Sequence, residues 1–171
     1  MSGFTQLTIA FIQDHRAWGA PIVFGLAFCE SFAFISLIVP ATGILFGIGG
    51  LIGAAGIEFW SIWLAAALGA IAGDWLAYDL AFRLKDRVFR VWPLSHHPEL
   101  VSRGVGFFER WGVIAVFCGR FFGPFRAIVP IAAGLSTMSW LKFQIANLAS
   151  AVLWATGILA PGFVGMRWLM N

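Results

Sequence analysis

Apolar residues form long runs along this chain, and polar residues seldom interrupt them. Residues 17–57 carry a single charge, Glu30, over about twice the roughly 20 residues that one membrane-spanning helix needs. Residues 59–82 and 138–165 are each about one span long, and residues 112–134 form a further apolar run. The pattern predicts an all-α, polytopic helical bundle in a membrane.

Helix-breaking residues interrupt two of these runs. Pro40 and a series of glycines lie in the first run, whereas Gly123, Pro124 and Pro130 lie in the run of residues 112–134. Proline removes a backbone donor and clashes with the preceding turn, so we expect these residues to break the helices. Both runs are therefore predicted to be broken, re-entrant hairpins, each followed by a full span.

Two more polar segments flank the runs. Residues 1–16 place apolar side chains at helical spacing and predict a short interfacial helix. Residues 83–110 hold more Lys and Arg than Asp and Glu. Basic loops lie preferentially on the cytoplasmic side of a membrane, so this segment is predicted to be a cytoplasmic loop.

Composition supports a single membrane domain over residues 1–171. The chain is 60% hydrophobic and 11% charged, whereas soluble domains carry about 25% charged residues. The net charge of +3 arises mainly in residues 83–110, so it is a topology signal and predicts no nucleic-acid partner. Most tryptophans fall near run ends, at headgroup level; Trp75 and Trp154 lie deeper, where we expect them to be packed.

The two broken runs resemble each other. The tripeptide Ile-Val-Pro occurs at residues 38–40 and at 128–130, with Glu30 and Arg120 each ten residues before the proline. We interpret this as a sequence repeat, and we expect its two copies to have inverted membrane topology, because transporters often build a midplane site from two such repeats.

Three charged residues lie where a bilayer core is expected: Glu30, Arg120 and Arg126. Each costs at least about 2.5–3.5 kcal/mol at that depth unless it meets a partner or a wet cavity. On a straight helix Arg120 and Arg126 would point about 240° apart, but a break at Gly123 and Pro124 would bring them together. Two guanidinium groups beside a helix break predict a site for phosphate.

Acidic and polar residues elsewhere in the chain could instead pair with these arginines. Glu30 and Asp74 would balance the two arginines in a purely structural pairing. Glu30 is also a candidate proton switch, because burial raises and a nearby arginine lowers the pKa of a carboxyl group. Asp74 and Tyr78 share a helix face at i, i+4 spacing, and Asn147 is a candidate partner across the repeat.

Other chemistries have no support in the sequence. No Ser or Cys pairs with a His in a known nucleophile motif, and no phosphate-binding Gly-rich loop occurs. His96 and His97 are adjacent but have no Cys/His set to complete a metal site, so we interpret them as part of a solvated loop. We therefore expect no enzyme activity, no metal and no cofactor.

The stretch GFFERWGVIAVFCGRFFGPFRAIVPIAAGLSTMSWLKFQIANLASAVLW, residues 106–154, resembles the DedA family, also called SNARE-associated or VTT-domain membrane proteins. The first half resembles the family too, through Glu30, Pro40, Gly43, Gly73, Asp74 and Tyr78. The matching positions in the second half are Gly119, Arg120, Phe121, Pro124, Arg126, Pro130, Ala133, Gly134, Met138, Phe143 and Trp154.

The resemblance implies a multi-pass protein of the bacterial inner membrane with two re-entrant hairpins. It also implies movement or flipping of lipids, notably undecaprenyl phosphate and phospholipids such as phosphatidylethanolamine, with a link to the proton-motive force. Glu30, Arg120 and Arg126 match positions regarded as functional in the family. Thr42 stands where the family commonly has an acid, which weakens the case for proton coupling more than that for lipid binding.

The sequence thus favours a lipid transporter or flippase. Arg120 and Arg126 would bind the headgroup phosphate, Glu30 would be the pairing or protonation switch, and Asp74, Tyr78, Thr42 and Asn147 would support them. Membrane lipids are the expected partners, and homo-oligomerisation stays open. The alternatives are a small-ion or drug–proton antiporter and a non-transporting membrane scaffold or assembly factor.

Overall fold

The computed structural model describes residues 16–32, 42–55, 58–85, 87, 98–121, 125–136 and 138–170. These residues form seven α-helices and no β-strand, so the predicted all-α class is confirmed for the described part of the chain. The helices are α1 (Arg16–Ser31), α2 (Thr42–Ala55), α3 (Phe59–Leu84), α4 (Pro98–Trp111), α5 (Val113–Gly119), α6 (Phe125–Leu135) and α7 (Trp140–Met170).

Helices α3 and α7 form the centre of the bundle. Phe59–Leu84 and the Trp140–Gly165 part of α7 are both long and apolar enough to cross a membrane. The two helices run antiparallel, because Trp63 of α3 bonds to Thr156 of α7 (2.9 Å), while Ile71 accepts a hydrogen bond from Asn147 (3.1 Å). Each of these bonds satisfies a polar group in an apolar setting, which fixes the register of the two helices.

Helix α1 runs parallel to α3 at very short range. The backbone of Phe24 lies against Gly69 and that of Phe28 against Gly73, so the contact advances along both helices together. Helices α1 and α3 begin at the same end of the bundle, but α1 ends beside Gly73, just past the middle of α3. Its 16 residues span about 24 Å, less than the roughly 30 Å of a hydrocarbon core.

The remaining packing follows one scheme in both halves of the chain. Helix α1 packs on α3, and α5 packs on α7; α2 packs on α7, and α6 packs on α3. The first half of the chain contains α1, α2 and α3, and the second half contains α5, α6 and α7. Exchanging these two sets of helices maps each of the four contacts onto another of the four. The inverted repeat and the re-entrant course of the hairpins stay predictions, since the connections at residues 33–41 and 122–124 lie outside the described residues.

Pro130 does not break a helix, contrary to the sequence-based expectation. It is buried inside α6, which continues to Leu135. Proline leaves the carbonyl of Arg126 without its i+4 donor, yet burial of Ile128, Val129 and Ile131, each at most 2% exposed, holds the helix together. The other predicted breaks, Pro40, Gly123 and Pro124, lie outside the described residues.

The segment between the two halves contains a helix rather than loop alone. Helix α4 is amphipathic: Phe108 is buried against α6, whereas Arg103 and Arg110 are exposed. It is joined to α5 by Gly112, whose φ of 51° is a left-handed conformation that glycine adopts readily. The predicted interfacial helix at residues 1–16 falls almost entirely outside the described residues.

The two deep tryptophans differ in position. Trp154 is 5% exposed and belongs to the core between α1, α2, α3 and α7, as expected. Trp75 is 48% exposed, so the expectation that it is packed is wrong. It points away from the bundle, because α3 buries a face of small residues that begins at Ala66 and ends at Ala81.

Candidate functional site

Arg126 lies in the first turn of α6 and reaches across to the end of α1. Its Nη1 donates to Glu30 Oε1 at 2.6 Å, and its Nη2 donates to Ser31 Oγ at 3.0 Å. The guanidinium carbon lies 4.4 Å from the centroid of the Trp154 ring, a cation–π contact. A carboxylate, a hydroxyl and an aromatic face from two other helices thus fix the position of one cation.

Arg120 directly follows α5 and contacts both central helices. Its Nη2 donates to the Asp74 carboxylate of α3 and to Asn147 Oδ1 of α7, the latter at 2.6 Å. Its Nε donates to Ser150 Oγ at 3.1 Å. The side chain therefore ties α3 to α7.

The two ion pairs form one buried charge cluster, defined as Glu30, Asp74, Arg120 and Arg126. The residues are between 4% and 8% exposed. Asp74 lies about 22 Å from the start of α3 and about 15 Å from its end, at 1.5 Å per residue. A bilayer that α3 spans would therefore have the cluster near its mid-depth. The cluster holds two positive and two negative groups, which makes it electrically balanced.

Each half of the chain contributes one sign of charge. The acids belong to α1 and α3, whereas the arginines flank the gap between α5 and α6. Both halves must come together before either guanidinium is neutralised. An unpaired charge at this depth is expensive, so the cluster selects the arrangement in which the halves are docked.

Hydrogen bonding within the cluster is incomplete. Asp74 Oδ1, Arg120 Nη1 and Arg126 Nε are buried and have no hydrogen-bond partner among the described residues. A guanidinium carries five N–H donors in a rigid fork. Donors of both arginines are thus left over after the carboxylates are bound, which gives the cluster capacity for a further acceptor such as a phosphate oxygen.

The sequence predicted the four members of this cluster but not all of their neighbours. Ser31 and Ser150 were not singled out, and Trp154 was expected to be packed but not to contact an arginine. Asn147, Ser150 and Trp154 lie at i, i+3 and i+7, one face of α7, so helical periodicity starting from Asn147 gives a signal for two of them. Ser31 has only its place beside Glu30 to distinguish it.

Tyr78 lies away from the cluster. Its hydroxyl donates to the carbonyl of Met138 at 2.5 Å, and its ring stacks on Phe143 with centroids 4.4 Å apart. It therefore supports the contact between α3 and the start of α7, and its hydroxyl bonds to neither arginine. Thr42 begins α2, and a role for its side chain stays a prediction.

Replacing Tyr78 with phenylalanine should lower stability by about 0.5–1.5 kcal/mol, because the Met138 carbonyl loses a buried donor. For a chain of this size we expect a fall in melting temperature of about 2–6 °C, measured by tryptophan fluorescence in detergent. Trp140→Phe, at an exposed position, is the control. A Tyr78→Phe protein with the same melting temperature as the unchanged protein would contradict this role.

Comparison with known proteins shows which family the chain belongs to. A model of the VTT domain matches residues 31–164, the part that contains α2 to α6 and most of α7. The chain belongs to the DedA, or VTT-domain, family. Residues 31–164 include Asp74, Arg120 and Arg126 but begin one residue after Glu30. DedA-family membership and the two long apolar helices make this a membrane protein.

Named relatives of this DedA-family chain are membrane proteins. Inner membrane protein YabI of Escherichia coli is 32% identical over 154 residues, covering 90% of this chain and 61% of YabI. Inner membrane protein YghB of Salmonella typhimurium is 27% identical, covering 83% and 65%. The uncharacterized membrane protein BU139 of Buchnera aphidicola is 24% identical, covering 91% and 60%.

The chain thus spans about three fifths of the length of these curated relatives. No solved structure matches it.

Proposed function

We propose that this DedA-family protein moves a phosphate-bearing lipid across the bacterial inner membrane. Undecaprenyl phosphate and phospholipids such as phosphatidylethanolamine are the substrates that carry such a group. The lipid tail would stay in the bilayer while the headgroup passes the charge cluster at mid-depth.

The incomplete hydrogen bonding of two buried arginines is the observation that carries this proposal. Arg120 Nη1 and Arg126 Nε are buried without a partner among the described residues. An unmet buried donor costs about 1–3 kcal/mol, more for a charged group. A phosphate would satisfy such donors, because its oxygens accept charge-assisted hydrogen bonds from guanidinium groups.

Charge balance supports a proton-coupled form of the transport. The cluster holds two acids and two arginines, so an entering anion adds uncompensated negative charge. Protonation of one carboxylate per negative charge would restore neutrality and release an arginine for the phosphate. Glu30 is the proposed switch, because its Oε1 holds Arg126 and protonation weakens that bond.

The same balance favours a second candidate, a membrane scaffold whose ion pairs only fix the docking of the halves. Both arginines already have a carboxylate partner, which a purely structural pair requires. The two candidates differ in what they demand of the guanidinium. A structural pair needs mainly the positive charge, whereas phosphate binding between carboxylates also needs the planar fork.

Arg126→Lys separates these candidates. Lysine keeps the charge but loses the fork and the simultaneous bonds to Glu30 and Ser31. Losing one charge-assisted hydrogen bond of about 1.5–3 kcal/mol predicts at least about tenfold slower lipid flux. The assay is movement of a labelled phospholipid or polyprenyl phosphate between leaflets of proteoliposomes, with folding verified by thermal melting.

Arg103→Lys, on the exposed face of α4, is the matched control and should leave flux unchanged. Undiminished flux in a folded Arg126→Lys protein would overturn the phosphate site and favour the scaffold. Flux of a small cation or drug in exchange for protons, without lipid movement, would instead favour the antiporter that the sequence left open.

A further inference from the structure

An apolar groove opens on the outer side of the bundle, between the end of α1 and α3. This lateral groove is lined by Phe28, Ala72, Trp75, Leu76 and Asp79 and encloses about 350 Å³. That volume is within the roughly 300–1,000 Å³ typical of ligand sites. Trp75 and Leu76 are 48% and 39% exposed, so the groove faces the surrounding lipid and not the buried charge cluster.

One end of the lateral groove is charged. Asp79 accepts an ion-pair contact of 2.8 Å from Arg83 Nε, one helical turn further along α3. The side chains are 36% and 73% exposed. Exposed i, i+4 pairs contribute only about 0.3–0.5 kcal/mol, so both charged groups can exchange this contact for another partner at little loss.

The charged end of the lateral groove lies between the depth of the charge cluster and the membrane surface, with Arg83 in the last turn of α3. Asp79 is about 8 Å from the end of α3 at 1.5 Å per residue, and the exposed Lys85 and Arg87 follow directly. Basic side chains at the end of a span mark the headgroup level. Ala72 lies about 10 Å deeper than Asp79, at the level of the acyl chains.

From this arrangement we propose that the lateral groove binds a zwitterionic phospholipid of the surrounding leaflet. One acyl chain would lie against Phe28, Ala72 and Trp75. The amine of the headgroup would meet the Asp79 carboxylate, and its phosphate would meet Arg83. The inference goes beyond the proposed transport function, because none of these residues belongs to the charge cluster.

Charge complementarity at the Asp79–Arg83 pair favours the zwitterion over an anionic phospholipid. The adjacent carboxylate and guanidinium match the adjacent amine and phosphate of the headgroup. An anionic phospholipid without an amine would satisfy Arg83 but place its negative charge near Asp79. The wall on the α1 side is preorganised, since Phe24, Phe28 and Phe32 stack with centroid distances of 6.4 and 5.8 Å.

Native mass spectrometry of the full chain, released from detergent after titration with phosphatidylethanolamine or phosphatidylglycerol, tests the lateral groove. We expect phosphatidylethanolamine to be retained about tenfold better, the ratio that one charge-assisted hydrogen bond supplies. Asp79→Asn should bring the two lipids to equal retention. Ala72→Phe should fill the groove and lower retention of both lipids at least about fivefold, by exclusion of the chain.

Two variants serve as matched controls. Glu58→Gln changes an exposed carboxylate just before the start of α3, and Leu64→Phe enlarges a side chain on the exposed surface of α3. Neither should change lipid retention. Equal retention of both lipids by the unchanged chain, or an Asp79→Asn protein that keeps the preference, would overturn the proposal. Because Arg126→Lys should slow flux but leave this preference intact, the two proposals fail separately.

Discussion

Replacing Asp74 with alanine is expected to lower stability by about 3–5 kcal/mol, because it leaves the Arg120 guanidinium buried and without its carboxylate. Arg120 is 4% exposed, and its remaining partners are the uncharged Asn147 and Ser150. Amide and hydroxyl dipoles offset only part of a buried charge. The measurement is unfolding of the purified protein in detergent, followed by the fluorescence of its nine tryptophans.

Removing both members of the pair should be milder than removing one. An Asp74→Ala, Arg120→Leu double variant buries no charge at this place, and well-packed apolar replacements of buried ion pairs are often close to neutral. We therefore expect it to regain most of the lost stability. A double variant that is as unstable as Asp74→Ala would show that the unpaired, buried guanidinium of Arg120 is not the cause of the lost stability.

Asp79 provides the control for this comparison. It is on the same helix and also pairs with an arginine, but its pair is exposed. Asp79→Ala should therefore lower stability by no more than about 0.5 kcal/mol. The double variant also informs the proposed function: a stable protein without Arg120 should fail to move lipid if the arginine binds phosphate, and should retain its role if the pair is structural.

Substituting Gly73 with alanine is the second change with a large expected effect. A Cβ at this position would lie 2.6 Å from the carbonyl oxygen of Phe28 and 2.9 Å from the amide nitrogen of Phe32. Backbone atoms cannot rotate away, so α1 must separate from α3. We expect a loss of about 1–3 kcal/mol, typical of overpacking, and a lower melting temperature in detergent.

The displacement should also reach the charge cluster. Glu30 and Ser31 are at the end of α1 and hold Arg126, so moving α1 weakens that contact and should slow lipid flux along with the loss of stability. Gly69→Ala should have a similar effect, because the backbone of Phe24 is even closer to a Cβ at that position.

The control for this pair is Gly25→Ala, on α1 itself, where a Cβ meets nothing within 4 Å. Alanine has the higher helix propensity by about 1 kcal/mol, so this variant should be neutral or slightly more stable. Gly73→Ala with the stability of Gly25→Ala would rule out close backbone contact between α1 and α3.

Both predictions concern the coupling of function to helix docking. The charge cluster joins α1, α3, α7 and the ends of α5 and α6. Under the proposed function, a lipid headgroup that released Arg126 from Glu30 would therefore also loosen the contact between the two halves. The proposed transport would then proceed by alternating docking of the two halves, and the flux measurements test it.

The sequence alone determined that this is a membrane protein and which charged residues are candidates for its site. Long apolar runs with few charges require a membrane, and a charge inside such a run requires a partner, so Glu30, Asp74, Arg120 and Arg126 were identifiable without a fold. The two full spans were equally clear, because length and hydropathy are local properties. The motif around Arg120 and Arg126 also indicated the family.

Only the tertiary structure decided which groups meet. Arg120 pairs with Asp74 across 46 positions of the chain and Arg126 with Glu30 across 96, and no local pattern distinguishes this pairing from the reverse. The outward position of Trp75 and the survival of α6 through Pro130 likewise depend on neighbours distant in sequence. Local periodicity reports which faces are apolar, whereas contact between helices is set by close packing of whole surfaces.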